Sequence, residues 1–291
     1  MATACGSDPA GQLCDLDQAP SAGKDFVTVM NRLKIGIRLE SFGLPLRRAL
    51  AEAGRLGVSG VQVDAVGDLA PNALSETGRR EFRHLLRAHN LELTALGCPL
   101  RRGLDSTENQ QPRLEHVQKV LSLSFDLGPR IVIVQAGAVN DDPKNPRMHI
   151  LRESLQALAG HGDRVGATLA LETGLDDGAV LAAFLHRFDT AALGANLDPA
   201  NLLLHGFDPY AAVQALGRHI VHSHAKDARQ SSASRAAQEV SLGHGDIDWM
   251  KYLAVLEEVE YRGWLTIDRE TGDNRLADVA AGVSFLRRLI G

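Results

Sequence analysis

From Lys34 onward, short apolar runs alternate with amphipathic segments that carry an apolar residue every three or four positions. Short apolar runs are typical of buried strands, and the wider spacing is typical of helices. The pattern predicts strands at Ile35–Leu39, Gly60–Val63, Glu92–Leu96, Ile131–Gln135, Thr168–Glu172, Gly194–Asp198, Ile220–His224 and Leu265–Asp268. It predicts helices at Pro45–Leu56, Ser75–Ala88, Arg113–Leu127, Arg147–Val165, Ala179–Phe188, Trp249–Val259 and Ala277–Ile290.

Repeated alternation of strand and helix indicates an α/β protein, and this number of strands favours a (β/α)8 barrel. The alternative is a doubly wound sheet, which usually carries a glycine-rich phosphate loop after its first strand. The sequence there is LESFGLPL, which lacks the GxGxxG pattern. We therefore predict a barrel domain over residues 33–291. Residues 1–32 are rich in Gly, Ala, Ser and Asp, and we predict a poorly ordered tail, with a strap across the bottom of the barrel as the alternative.

Composition narrows the classes of partner and compartment. The 291 residues have a formal net charge of -5 and only 4% aromatic residues, which argues against nucleic-acid binding. Three cysteines without metal-binding spacing favour a reducing, cytoplasmic location. No apolar run is long enough to cross a membrane, and the N-terminus lacks the pattern of a signal peptide. We expect a protein that acts on small molecules.

Four residues that can bind a metal stand at the ends of predicted strands: Glu172 in TLALETG, Asp198 in GANLDPAN, His224 in IVHSHAKD and Asp268 in GWLTIDRE. Parallel barrel strands expose their carboxyl ends at one face, so these side chains should converge. Carboxylate oxygen with imidazole nitrogen suits Mn²⁺, Mg²⁺ or Co²⁺, with Zn²⁺ also possible. Glu270, two residues after Asp268, is an alternative fourth ligand.

Each of these residues also has a structural interpretation. A strand-end carboxylate commonly forms a loop salt bridge, and an Asp before Pro commonly begins a turn. His222 and His224 share a face of one strand. We prefer His224 as the ligand because it lies nearer the strand end, and a buried structural histidine is the competing interpretation of His222.

A metal among such residues can polarise a sugar carbonyl and stabilise an enediolate, while carboxylates move protons. Return of the proton to the same carbon gives epimerisation, and return to the neighbouring carbon gives isomerisation. Departure of a β-hydroxyl gives elimination. The residues alone leave these three outcomes open.

The chain resembles the xylose isomerase-like sugar phosphate isomerase/epimerase superfamily, a TIM-barrel group. Its members include D-tagatose and D-psicose 3-epimerases, inosose dehydratases and apurinic-site endonucleases. The motifs that carry the resemblance are LALETG, ANLDPANLL, HSHAKDAR, LGHGDIDW and YRGWLTIDRE. The resemblance covers most of residues 34–290 and is strongest from Leu169 onward. It implies a metal-dependent enzyme that forms a homodimer or homotetramer.

By this resemblance the metal ligands fall on Glu172, Asp198, His224 and Asp268, and the acid/base pair on Glu172 and Asp268. The family usually has Glu where this chain has Asp268, which puts the fourth ligand in question. The substrate-binding residues that the resemblance implies are Asn201, Asp227 and Arg229. We add His222 as a further substrate-binding candidate, because it shares a strand face with His224.

The function that we predict is a divalent-metal-dependent epimerase or isomerase of a keto-sugar or sugar phosphate. A lyase or dehydratase acting on a keto-sugar or inosose is the first alternative, and a non-catalytic sugar-binding protein is the second. Nuclease activity is disfavoured because the strand ends lack the additional histidines that a metal cluster needs.

Overall fold

A computed structural model describes residues 33–139, 144–232 and 236–291. Its eight barrel strands are all parallel, and each pairs with the next around a closed ring, with the last strand beside the first. They are β1 Lys34–Arg38, β2 Gly60–Asp64, β3 Glu92–Gly97, β4 Ile131–Val134, β5 Thr168–Glu172, β6 Leu193–Leu197, β7 Ile220–Ala225 and β10 Trp264–Ile267. The predicted (β/α)8 barrel is confirmed, and each predicted strand corresponds to one of these.

Helices surround the barrel. Over the described residues they are α1 Leu46–Arg55, α2 Glu76–Ala88, α3 Gln110–Leu127, α4 Pro146–Val165, α5 Gly178–Leu185, α6 Pro199–Leu204, α7 Pro209–Leu216, α8 Trp249–Glu258 and α9 Arg275–Ile290. Side-chain caps begin several of them, as when Asp177 accepts the backbone N–H of Ala179 and Asp248 that of Lys251. No described helix combines the length and apolarity that crossing a bilayer requires.

Two layers of packing hold this barrel together. A large apolar cluster lies mainly between the strands and the surrounding helices, and includes the fully buried Leu50, Leu121 and Leu155. A smaller cluster of Ala95, Ile133 and Ala170 lies apart from it. Because alternate strand residues face opposite sides, β5 turns Ala170 to the side of Glu172 and turns Leu169 to the other side. The strands that carry the candidate site are therefore held rigidly by packing.

Helices α6 and α7 were not predicted, although the sequence contains their start signals. Asp198 and Asp208 each cap a helix whose first residue is a proline, Pro199 and Pro209. Proline is favourable at that position because the first helical N–H has no partner within the helix. The pattern predicts only the end of a strand there.

A two-stranded antiparallel hairpin was also not predicted. It pairs β8 Asp227–Arg229 with β9 Gln238–Val240 in the segment that follows β7, where the sequence pattern predicts neither a strand nor a helix. The predicted N-terminal tail over residues 1–32 lies outside the described residues.

Candidate metal centre

Three of the predicted ligands converge at the carboxyl end of the barrel. Glu172 ends β5, Asp198 directly follows β6, and His224 lies in β7. His224 Nδ1 is 3.4 Å from Asp198 Oδ2 and 3.5 Å from Glu172 Oε1. One ligand atom from each residue lies within 4.8 Å of the other two, which is close enough to hold one metal ion.

Local hydrogen bonds set the position of Asp198. Its Oδ1 accepts the backbone N–H of Asn201 at 2.8 Å and so caps α6. Its own backbone N–H donates to Thr173 Oγ1 at 2.8 Å. With Oδ1 engaged by the helix, Oδ2 is the oxygen directed at His224. The same residue therefore ends a strand, begins a helix and presents one oxygen to the centre.

Asn201 fixes the carboxylate of Glu172. Its Nδ2 donates to Glu172 Oε1 at 3.3 Å. This contact requires Gly174, which has φ +135, because a Cβ there would lie 2.6 Å from the Cβ of Asn201. The structure thus places Asn201 in contact with one carboxylate of the centre, and its predicted contact with substrate stays a prediction.

A buried chain of polar side chains orients His224 from the barrel interior. Its Nε2 contacts Gln62 Oε1 at 3.0 Å, and Asn196 Nδ2 lies 3.2 Å from its Nδ1. Asn196 Oδ1 contacts His222 Nδ1 at 2.8 Å, and His222 Nε2 contacts Thr266 Oγ1 at 3.0 Å. Since Gln62 Oε1 only accepts, His224 Nε2 donates, which leaves Nδ1 to face the carboxylates. Such an outer contact is typical of histidines that bind metals.

The charge state of the two histidines differs. Burial lowers the pKa of His224, but hydrogen bonds to Asp198 and Glu172 and the charge of Asp268 outweigh it and raise the pKa to about 10. Burial and the charge of His224 hold the pKa of His222 well below its ordinary value. The carboxylates of the centre therefore favour positive charge. In the metal-free protein this charge is a proton on His224, and the same electrostatic field favours a divalent cation. His222 is fully buried and does not line the cleft described below.

Asp268 lies in a separate group of charges on the β10 side. Its Oδ2 is 3.9 Å from His224 Nδ1 but 3.3 Å from Lys226 Nζ. Its Oδ1 accepts from Arg38 at 3.2 Å and from Ser41 at 3.3 Å. Burial by itself raises the pKa of Asp268, yet Lys226, His224 and Arg38 prevail and hold this pKa well below its usual range. The carboxylate is therefore ionised and hydrogen-bonded.

Glu270 extends this group toward solvent. Its carboxylate accepts from Lys226 at 2.9 Å and from Arg38 at 3.0 Å. Arg38 also binds Asp64 at 2.9 Å. The sequence did not predict roles for Arg38, Asp64 or Gln62, although each lies on a strand that ends at this face. The signal available in the sequence was the alternation of side chains along β1 and β2, which determines the face of the strand that each residue takes.

Asp227 and Arg229 are directed elsewhere. The carboxylate of Asp227 accepts the backbone N–H groups of Ala228, Gly243 and Gly245 and the indole N–H of Trp249. Asp227 is 1% exposed, so its oxygens organise the following loop. Arg229 donates to the backbone carbonyl of His244. The structure does not bring these two side chains to Glu172, Asp198 and His224.

A cleft of about 210 Å³ opens over the centre. Glu172 and His224 line it together with Arg38, Asp64, Glu270 and Gln135. The volume lies below the range typical of pockets for drug-sized ligands, so it suits a small polar molecule. The free thiol of Cys98 also faces it, and burial, with the charge of Asp64, raises the pKa of that thiol to about 12.

Comparison with known proteins agrees with this architecture. Residues 50–289 match the family model described as xylose isomerase-like TIM barrel, and the chain belongs to this family. The uncharacterized protein YfiH of Bacillus subtilis is 26% identical, over 82% of this chain and 93% of its own length.

Solved structures show the same fold. A xylose isomerase domain protein from Planctomyces limnophilus has 26% identity and a TM-score of 0.79, with coverage of 88% of this chain and 97% of that one. A Mycobacterium smegmatis xylose isomerase-like TIM barrel protein in complex with magnesium has 17% identity and a TM-score of 0.73, covering 90% and 97%. A D-psicose 3-epimerase has 16% identity and a TM-score of 0.72, covering 89% and 100%.

Proposed function

We propose that this protein is a divalent-metal-dependent epimerase or isomerase of small sugars that acts through an enediolate. The observation that carries the proposal is the convergence of Glu172, Asp198 and His224 within 4.8 Å at a small polar cleft. Membership of the xylose isomerase-like family supports it, and so does the fold shared with a D-psicose 3-epimerase.

The donor set fits a divalent cation. The candidate ligands are two carboxylates and one imidazole, and Gln62 holds the ring nitrogen of His224 that faces away from the carboxylates. This donor set matches the preferences of Mn²⁺, Mg²⁺ and Co²⁺, and Zn²⁺ is compatible. The magnesium complex of the Mycobacterium smegmatis relative supports this choice. A cation held here would polarise the carbonyl of a hydroxy-ketone and stabilise the enediolate left by proton loss.

Glu172 is the residue that we assign to proton abstraction. It lines the cleft, and Asn201 restrains its Oε1, so the carboxylate is positioned before substrate arrives. For the second proton transfer the resemblance indicates Asp268, which is 3% exposed beneath the cleft. Glu270 lines the cleft itself and shares Lys226 and Arg38 with Asp268. Glu270 is therefore the better placed of the two to reach the sugar.

The charges at the cleft favour a sugar without phosphate. Among the described residues that line it, Arg38 and His224 are the only side chains that can carry positive charge. Arg38 is engaged by Asp64, Asp268 and Glu270, and a phosphate would have to displace these carboxylates. Phosphate sites usually offer free guanidinium groups or backbone N–H groups. An uncharged ketose needs neither.

Deuterium exchange tests the proposal. Metal-loaded protein is incubated in deuterated water with free ketopentoses, ketohexoses and 3-keto-sugars. Wild type is expected to incorporate deuterium at a sugar carbon, and Glu172→Gln to lose incorporation by at least about 10³-fold. Glu81→Gln, the same change at an exposed position of α2, is the control and should match wild type. Equal incorporation by Glu172→Gln would contradict the role of Glu172, and exchange with loss of water would indicate a lyase.

A further inference from the structure

Lys226 lies inside the acidic cluster at the barrel end. Its side chain is 2% exposed, and its Nζ is 2.9 Å from Glu270, 3.3 Å from Asp268 Oδ2 and 3.9 Å from Asp198 Oδ2. The ammonium therefore stands between Asp268 and an oxygen of the three-residue centre. A fixed positive charge at this position fills the space next to the centre and repels a cation bound there, so it disfavours a fourth metal ligand on this side.

Asp268 has its oxygens already engaged. Oδ1 accepts from Arg38 and Ser41, and Oδ2 accepts from Lys226. To reach a metal beside His224, the carboxylate would have to leave the buried ammonium of Lys226 and the partly buried guanidinium of Arg38, and an uncompensated buried charge is strongly unfavourable. Aspartate is also one methylene shorter than glutamate. The group of three residues whose ligand atoms converge does not include Asp268.

We propose that, within the described part of the chain, three residues hold the metal, Glu172, Asp198 and His224, and that Lys226 takes the position of a fourth ligand. Asp268 anchors the ammonium of Lys226 instead of binding the metal. This inference rests on the proposed function, since it requires that a metal binds. Fewer residue ligands leave more coordination positions for sugar oxygens, and the nearby ammonium weakens metal affinity through repulsion.

Titration of the purified, metal-free full chain with Mn²⁺ tests the inference. Asp198→Asn is expected to weaken binding by at least about 100-fold, and Asp268→Asn by only about five- to tenfold, because it removes a nearby negative charge but no ligand. Lys226→Met is expected to tighten binding by at least about fivefold, because the repulsion is removed. Circular dichroism and thermal unfolding verify that each variant is folded.

Weakening by Asp268→Asn comparable to that by Asp198→Asn would overturn the inference and leave the proposed function intact. Unchanged affinity in Lys226→Met would overturn the role of the ammonium. Failure of wild type to bind Mn²⁺, Mg²⁺, Co²⁺ or Zn²⁺ would overturn both proposals. A further measurement needs no variant: water-proton relaxation by Mn²⁺ bound to the wild type gives the number of waters on the metal. In octahedral coordination with monodentate carboxylates, about three bound waters support three residue ligands and about two contradict them.

Discussion

At the scale of single residues, the orientation of His224 depends on a chain of buried polar side chains. Gln62 binds Nε2, and Asn196 links His224 to His222 and Thr266 below it. Fixing one ring nitrogen directs the other toward the carboxylates. The buried polar chain is therefore a positioning device, and its members should differ in importance according to their distance from the centre.

Gln62→Met is expected to weaken Mn²⁺ binding by about 10- to 100-fold while the barrel remains folded, because the imidazole loses its fixed orientation. Calorimetric titration measures the effect. Thr266→Val, which removes a contact of His222 only, is the control and should lower stability with little change in metal affinity. Equal losses in both variants would show that general disruption of the interior is responsible.

The stability of the protein should also depend on the ionisation of Glu40. Burial and the charge of Asp64 raise the pKa of Glu40 to about 7 from 4.5, against backbone hydrogen bonds and Arg38. Between these values the folded chain binds more protons than the unfolded chain, so the free energy of unfolding falls as the pH rises. The side chain is 37% exposed, so screening by solvent reduces the effect.

Glu40→Gln keeps an oxygen to accept the backbone N–H of Asp64 and removes the charge. We expect its Tm to exceed that of wild type by about 2 °C or more at pH 8, and the difference to shrink at pH 5. Differential scanning calorimetry at both pH values measures this, with Glu81→Gln as control. A difference that does not vary with pH would contradict the assignment to Glu40.

At the scale of elements, two acidic side chains hold the segment after β7. Asp227 accepts N–H groups of Ala228, Gly243, Gly245 and Trp249 and so ties the two ends of the segment together. Midway along the segment, Glu239 of β9 accepts from Arg269 and Thr271 and from the backbone N–H of Glu270. The hairpin is thereby fixed against the loop that carries Glu270, so its position bears on the cleft.

Asp227→Asn should loosen this segment without unfolding the barrel. An amide presents an NH2 group to N–H donors that previously met a carboxylate, so we expect a loss of at least about 2 kcal/mol. Hydrogen exchange should accelerate at Gly243 and Gly245, while β4 and β5 remain protected. Asp246→Asn, which changes an exposed carboxylate in the same segment, is the control. Unaltered exchange at the two glycines would refute this role.

At the scale of the whole molecule, two features affect the binding of charged substrates: the net charge of -5, and the pairing of Arg38 in the cleft with carboxylates. Both disfavour anionic substrates. We expect kcat/KM for a free ketose to exceed that for its phosphate by at least about 10²-fold, which steady-state kinetics measures. Asp64→Asn releases one partner of Arg38 and should strengthen inhibition by inorganic phosphate. Preference of wild type for the phosphate would contradict this interpretation.

The sequence alone predicted the barrel and the convergence of Glu172, Asp198 and His224, because both depend on short-range patterns. Apolar runs indicate strands. All strands of a parallel barrel end at the same face, so a polar residue at a strand's carboxyl end lies at that face whatever the position of the strand in the barrel. Glu172, Asp198 and His224 could therefore be identified before any contact was known. The same reasoning missed α6 and α7, whose helical runs are short and begin at prolines.

Only the tertiary structure decided how those residues are partnered. Arg38 and Asp268 are 230 residues apart, and no local pattern indicates that they form an ion pair or that Lys226 joins them. The sequence likewise did not distinguish a buried structural role of His222 from substrate binding, or Asp227 as a loop anchor from a substrate contact. The period of a strand determines which face a side chain takes, but its partners depend on which strands the closed barrel brings together.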